Sequence, residues 1–249
     1  MSSPQCHALV PCAGSGSRSG AGRPKQYVSV AGRPLVLHTL AALLAVPQLN
    51  TVSVVVSPTD TEMDGLLEEA GWQEHRAAQR VRIVPAGGAT RAHTVLGGLQ
   101  ALLASGAHEN DWVLVHDAAR CMIRPQWVER LINACSGDEV GGLLALPLPD
   151  TLKRSHPSNG ALAQEGLRVE ATLEREGVWA AQTPQMFALG TLLRALQQAL
   201  AASVPITDEA SAIEHLGLKP LLVRGDYENF KVTYESDFAL ADRLLRSPL

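Results

Sequence analysis

The 249-residue chain is poor in aromatic side chains, with four Trp, three Tyr and three Phe, and it has only four cysteines. Cys6, Cys12, Cys121 and Cys135 form no C-x-x-C pair and lack zinc-finger spacing with the eight histidines, which argues against a disulfide-built miniature and a zinc module. They read as free, mostly buried thiols in a reducing cytoplasm. No run approaches the ~18 consecutive apolar residues of a membrane span. Met1 to Val10 has no basic n-region, so no signal peptide is expected and the predicted location is cytoplasmic. With 46% hydrophobic residues the chain is neither collagen-like nor low-complexity disorder. A net charge of −4 gives no reason to expect a nucleic-acid partner. One absence is local. Residues 1–59 contain no Asp or Glu but carry Arg18, Arg23, Lys25 and Arg33, whereas the other 190 residues hold 17 basic and 25 acidic side chains, a balance of −8. Uncompensated positive charge gathered at one end is suited to an anionic ligand; chance in a short segment is the alternative.

What is present is an alternation of short β-branched runs with longer stretches of helical period, the pattern of an α/β, Rossmann-like, mostly parallel sheet flanked by helices. Strands are expected at His7–Pro11, Thr51–Val56, Val81–Val84, Trp112–His116 and Gly142–Pro147. Helices are expected from Pro34, after the cap Asp60, over 90–104, from Pro125, over 188–201, after a cap at Thr207, and near 235–246. The rhythm breaks over 148–177. There Thr151–Arg154 and Leu167–Leu173 flank a loop at Pro157–Gly166, reading as a β-hairpin arm. Val178–Gln182 and Leu221–Arg224 complete the strands of a single expected domain, 1–249, with 148–177 as a protruding subregion. His38, His116 and the tryptophans at 112, 127 and 179 read as structural.

The segment after the first strand, Pro11-Cys-Ala-Gly14-Ser-Gly16-Ser-Arg18-Ser-Gly20-Ala-Gly22-Arg-Pro24-Lys25-Gln26, sits where a strand end opens the crevice of an α/β sheet. It is not a P-loop, because Lys25 lies between Pro24 and Gln26 instead of following glycine and preceding Ser or Thr. It is not the dinucleotide fingerprint either: Ser19 stands where the third glycine belongs, and the first acid anywhere is Asp60. Small residues flanked by Arg18 and Lys25 favour a phosphate cradle over a bare flexible turn.

P-x-A-G-x-G-x-R followed by P-K-Q resembles the signature of nucleotidyltransferases that couple a nucleoside triphosphate to a phosphorylated sugar or polyol. Within that group the chain is similar to the 2-C-methyl-D-erythritol 4-phosphate cytidylyltransferase family of the non-mevalonate isoprenoid pathway. The similarity extends over Gly87–Val95, His116–Arg120, Asp150–Lys153, Trp179–Gln185, Ile206–Ser211 and Asn229–Thr233. It implies a fold of the nucleotide-diphospho-sugar transferase type and transfer of CMP from CTP to a polyol phosphate, with pyrophosphate leaving. A phosphate monoester is already anionic near neutral pH, so no Ser-His-Asp or Cys-His machinery is needed, and none is evident. What the reaction needs is neutralisation of crowded negative charge and in-line positioning.

The resemblance implies catalytic roles for Arg18 and Lys25 on the triphosphate, for Lys231 on the acceptor's phosphate, and for Arg175 on the arm. It implies nucleotide contacts from Pro11, Ala13, Gly14, Ser15, Gly16, Gly88, Thr94, Asp117 and Ala118, and acceptor contacts from Thr151, Arg120 and Thr183. Asp117 is also the implied anchor for Mg²⁺, an ion held mainly by phosphate oxygens and water. The arm is implied to reach a second subunit of a homodimer, so that Thr151 and Arg175 serve the neighbour's site. On the residues alone Arg175 reads first as a solvated ion-pairing side chain, whereas a turn cap is the lesser reading of Asp117. Thr94, His93, Cys12 and Cys121 replace a usual serine, acid, alanine and proline. Two other readings stand beside this one: a cytidylyltransferase for another polyol phosphate such as ribitol 5-phosphate, and a non-catalytic nucleotide-binding module. A fused cyclodiphosphate synthase domain, present in some relatives, is not expected in these 249 residues.

Overall fold

A computed structural model describes residues 3–14, 24–155 and 167–247. Strands β1 (Cys6–Pro11), β4 (Leu49–Val55), β5 (Val81–Val84), β6 (Trp112–Val115), β7 (Gly141–Pro147), β10 (Trp179–Ala188) and β11 (Leu221–Arg224) form one sheet in the order β11-β7-β10-β6-β1-β4-β5. All pairings are parallel except those of β10, which runs antiparallel to both β6 and β7. The short hairpin β2 (Ser29–Val30) with β3 (Arg33–Pro34) precedes the first helix.

Strand periodicity divides the core in two, because alternate side chains point to opposite faces. Ala8, Val10, Val52, Val54, Leu114 and Leu144 face α1 (Leu35–Leu44), α2 (Met63–Glu69) and α5 (Pro125–Cys135). Leu9, Val55, Val113, Val115 and Phe187 face α4 (Arg91–Ala104), α6 (Leu189–Ala201) and α7 (Glu209–His215). A third cluster, including Val30, Leu35, Val232 and Ala241, seats α8 (Glu235–Arg246) against the β2–β3 hairpin. A five-residue helix α3 (Gln73–Ala77) buries no residue. All four cysteines are free and buried. No described helix is long and apolar enough to cross a membrane.

From β1 the chain builds outward through β4 to β5, then returns along α4 to β6 on the other side of β1. The connections diverge there, and a crevice opens beyond the carboxyl ends of β1 and β6. Close packing brings the strand ends together. A Cβ on Gly87 would lie 2.3 Å from the Cβ of Ala13 and 2.7 Å from the carbonyl oxygen of Val56, so only glycine lets these two loops touch. Gly98 likewise lets α4 approach Leu9 and Val55, each 2.6 Å from where its Cβ would be.

The arm residues pair as expected: β8 (Leu152–Ser155) and β9 (Val169–Leu173) form a separate antiparallel ribbon, while the loop Pro157–Gly166 lies outside the described residues. Two expectations are corrected. The segment expected to end at Gln182 continues through Ala188 as a single strand, since Gln182, Thr183 and Gln185 are buried and find polar partners. Asp208, not Thr207, caps α7: its carboxylate accepts from the Ser211 amide at 3.0 Å, and Ser211 answers with its hydroxyl oxygen, which accepts from the Asp208 amide at 3.3 Å. At α2 the carboxylate of Asp60 does accept, from the amides of Glu62 and Met63.

Candidate active site

The crevice has a volume of about 460 Å³ and is lined by Pro11, Cys12, Ala13 and Gly14 after β1, by Gly88 to Arg91 and Thr94 at the start of α4, and by Asp117 to Ala119 after β6. Lys25, Gln26, Lys231 and Thr233 complete the lining. Three of these residues are cationic and one, Asp117, is acidic, so the wall favours an anion.

Each wall is fixed by hydrogen bonds. The Cys12 amide extends the β1–β4 ladder by donating to the Val55 carbonyl at 2.7 Å. Gln26, on a single 3-10 turn (Lys25–Tyr27), is buried and donates through Nε2 to the carbonyls of Cys12 (2.9 Å) and Gly14 (3.2 Å). That turn is anchored by the Tyr27 hydroxyl on Asp60. Burial of Tyr27 and its bond to Asp60 push the phenol's pKa far upward, so it stays a neutral donor. On the facing wall the Thr94 hydroxyl accepts from the Gly88 amide at 3.1 Å and donates to the Thr90 carbonyl, holding the loop before α4. Burial raises the Cys12 thiol well above its usual range and leaves it protonated.

The back wall is a chain of charges. Asp117 receives Arg91 Nε on Oδ1 at 2.8 Å and Lys231 Nζ on Oδ2 at 2.7 Å. Both terminal nitrogens of Arg91 are taken by Glu209, at 2.6 and 3.0 Å. Burial works against the charge of Asp117, but Arg91 and Lys231 outweigh it and hold the carboxyl far below the ordinary range. The same two carboxylates outweigh the burial of Arg91 and raise its pKa. Asp117 is therefore ionised at any working pH.

Behind it, the Thr183 hydroxyl oxygen accepts from the Asp117 amide and meets His116 Nδ1, both at 3.0 Å. The Arg120 carbonyl, 3.3 Å from Nε2, can only accept, so the proton of a neutral His116 sits on Nε2 and the Thr183 hydroxyl donates to Nδ1. Burial pushes His116 down to about 4, so it is neutral. Arg120 donates to the carbonyls of Asn229 (2.6 Å) and Ala181 (3.4 Å), and the Val232 amide donates to Ala119, tying the segment that carries Lys231 to the strand ends. Lys25 Nζ donates to the Val232 carbonyl at 3.1 Å.

The structure thus brings together Pro11, Ala13, Gly14, Lys25, Gly88, Thr94, Asp117, Ala118 and Lys231. Arg120 and Thr183 do not line the crevice; they brace Asp117 and the Lys231 segment from behind. Thr151 and Arg175 are exposed on the arm and are not among the lining residues either. Ser15, Gly16 and Arg18 lie outside the described residues. Sequence reasoning gave no role to Gln26, Arg91 or Glu209. Glu209 carries no local sign of its role, because its partner Arg91 lies 118 positions away.

Fold and crevice together define an α/β protein of the nucleotide-binding class. A family model for 2-C-methyl-D-erythritol 4-phosphate cytidylyltransferase matches residues 6–247. The enzyme of that name from Chromobacterium violaceum is 52% identical over 238 residues, covering 96% of each chain. A bifunctional enzyme, IspD/IspF, from Albidiferax ferrireducens is 55% identical over 243 residues, 97% of this chain; the chain spans about half (53%) of that relative's length. A crystal structure of a 4-diphosphocytidyl-2C-methyl-D-erythritol synthase superposes with a TM-score of 0.80 at 38% identity, covering 97% of this chain and 99% of the other. The chain belongs to the 2-C-methyl-D-erythritol 4-phosphate cytidylyltransferase family.

Proposed function

We propose that the chain transfers CMP from CTP to 2-C-methyl-D-erythritol 4-phosphate, giving 4-diphosphocytidyl-2-C-methyl-D-erythritol and pyrophosphate in isoprenoid precursor biosynthesis. The observation that carries this reading is the family match over residues 6–247, with the matched loops converging on one cationic crevice. The same match favours the methylerythritol acceptor over ribitol 5-phosphate and an enzyme over a non-catalytic module.

In this reading an oxygen of the acceptor phosphate attacks the α-phosphorus of CTP, and the bond to the pyrophosphate oxygen breaks in line. Lys25, together with Arg18, neutralises the triphosphate, while backbone groups near Gly14 and Gly88 border the nucleotide. Lys231 moves from Asp117 to the acceptor phosphate, exchanging one oxygen anion for another. Among the described residues, Asp117 is the only acidic one lining the crevice, and no group of three ligating side chains exists. That set does not form a protein cage for a metal. It fits Mg²⁺ held by triphosphate oxygens and water with Asp117 alongside. When bound, the ion supplies further charge neutralisation. Thr151 and Arg175 are assigned to the site of a second subunit reached by the 148–177 arm, in keeping with their exposure away from this chain's own crevice. Four buried free thiols suit a reducing cytoplasm.

The test is pyrophosphate release from CTP and Mg²⁺ against a panel of polyol phosphates. Methylerythritol phosphate should be the best acceptor; equal or faster turnover with ribitol 5-phosphate overturns the substrate assignment, and no release with any acceptor overturns the enzyme. For the shared site, Lys231→Ala mixed with Arg175→Ala should recover up to about a quarter of wild-type activity by forming one intact site per mixed dimer. No recovery on mixing sinks the role given to the arm.

A further inference from the structure

We propose that Glu209 is a positioning residue for the transfer: by holding both terminal nitrogens of Arg91 it leaves a single nitrogen for Asp117, and so reserves the second oxygen of Asp117 for Lys231. The proposal rests on reading Lys231 as the group that holds the acceptor's phosphate.

Glu209 is 1% exposed, an unusual place for a carboxylate unless it is fully paired. Its position is rigid. The Ala210 amide donates to Gln185 Oε1 at 2.7 Å and Gln185 Nε2 donates to Asp208 at 2.8 Å, so the first turn of α7 is clamped to β10 on both sides of Glu209. Arg91 is itself in the first turn of α4, where the helix dipole disfavours a cation. Two carboxylates offset that cost. Arg91 and Lys231 against Asp117 and Glu209 make a neutral set of four.

Guanidinium prefers to grip one carboxylate with two nitrogens. Without the Glu209 charge, that grip falls to Asp117, and Lys231 loses its oxygen. The Lys231 side chain is 40% exposed, so an unanchored ammonium would range into solvent rather than wait at the crevice wall. Glu209 thus acts two residues removed from Lys231, through Arg91 and then Asp117.

The experiment compares Glu209→Gln, Glu209→Asp and Lys231→Gln by kcat, by KM for each substrate and by thermal unfolding. Glu209→Gln should raise the acceptor KM about tenfold, the worth of one charge-assisted hydrogen bond, and leave the CTP KM within about twofold. Glu209→Asp keeps the charge but reaches only one Arg91 nitrogen, so its acceptor KM should rise by several-fold less. A purely structural pair would lower the melting temperature and the active fraction with both KM values unchanged, and that result overturns the proposal. If Glu209→Gln does not fold, Glu209→Asp decides: an acceptor KM equal to wild type overturns it. Lys231→Gln separates the two layers. A raised acceptor KM there, with none in the Glu209 variants, refutes the role of Glu209 alone. An unchanged one refutes the reading of Lys231 and the proposal with it.

Discussion

Replacing Asp117 by Asn keeps the shape of the side chain and removes the charge on which the back wall depends. Oδ1 now faces Arg91 and Oδ2 faces Lys231. An amide offers one acceptor to two donors and turns its own N–H₂ toward a cation. Removing one member of a buried pair costs about 3–5 kcal/mol. The half of the interaction that involves Lys231 is screened, because that side chain is 40% exposed, so the lower end applies. A loss of about 3 kcal/mol corresponds to a fall of roughly 6–12 °C in Tm for a chain of this length. The effect depends on pH with a definite sign. The folded carboxyl is held below its unfolded value, so its stabilisation is complete above about pH 4 and fades as the pH falls further toward the folded value. Thermal melts of both proteins across pH should show a full gap at pH 7 that narrows below about pH 4. A shift smaller than about 2 °C at pH 7 would refute the claim that this carboxylate anchors the wall.

His116 also costs stability toward acid, but in a higher pH window and because it is buried uncharged. Buried and neutral with a pKa near 4, it must take up a proton on unfolding, so stability should fall by roughly 3 kcal/mol as the pH drops from about 6.5 to 4. Urea titrations should show a flatter profile over that window for His116→Gln; an unchanged slope counts against the assignment. Gln26→Ala removes both bonds that hold the Cys12 and Gly14 carbonyls. The KM for CTP should rise about tenfold while that for the acceptor stays within about twofold; equal rises in both would mean the loop does not belong to the nucleotide.

Most of the sheet was legible because each buried strand shows a run of β-branched and aliphatic residues bounded by turns, as in Val52–Val56. β10 was only half legible. Its interior reads Gln182-Thr183-Pro184-Gln185, a sequence that looks like a turn, and becomes strand because Asn229, Asp208 and Ala210 supply distant partners. Thr207 and Asp208 are both good caps, and the choice between them lies in the reciprocal bond from Ser211. The short β2–β3 hairpin and α3 are too brief to carry a period. For the site, the loops at strand ends announced the crevice. The pairing of Arg91 with Glu209 did not, since two charges far apart in sequence carry no sign of their contact.

The bond from Lys25 to the Val232 carbonyl joins positions 207 residues apart. The two sides of the crevice therefore meet only after residues as far as Val232 have been made, and the α8 cluster around Val232 seats the later side. A chain that ends before Lys231 lacks one cationic side of the crevice, whatever strands it has formed. The crevice is thus a product of the tertiary fold and not of the glycine-rich loop alone, since its two cationic sides come from opposite ends of the sequence.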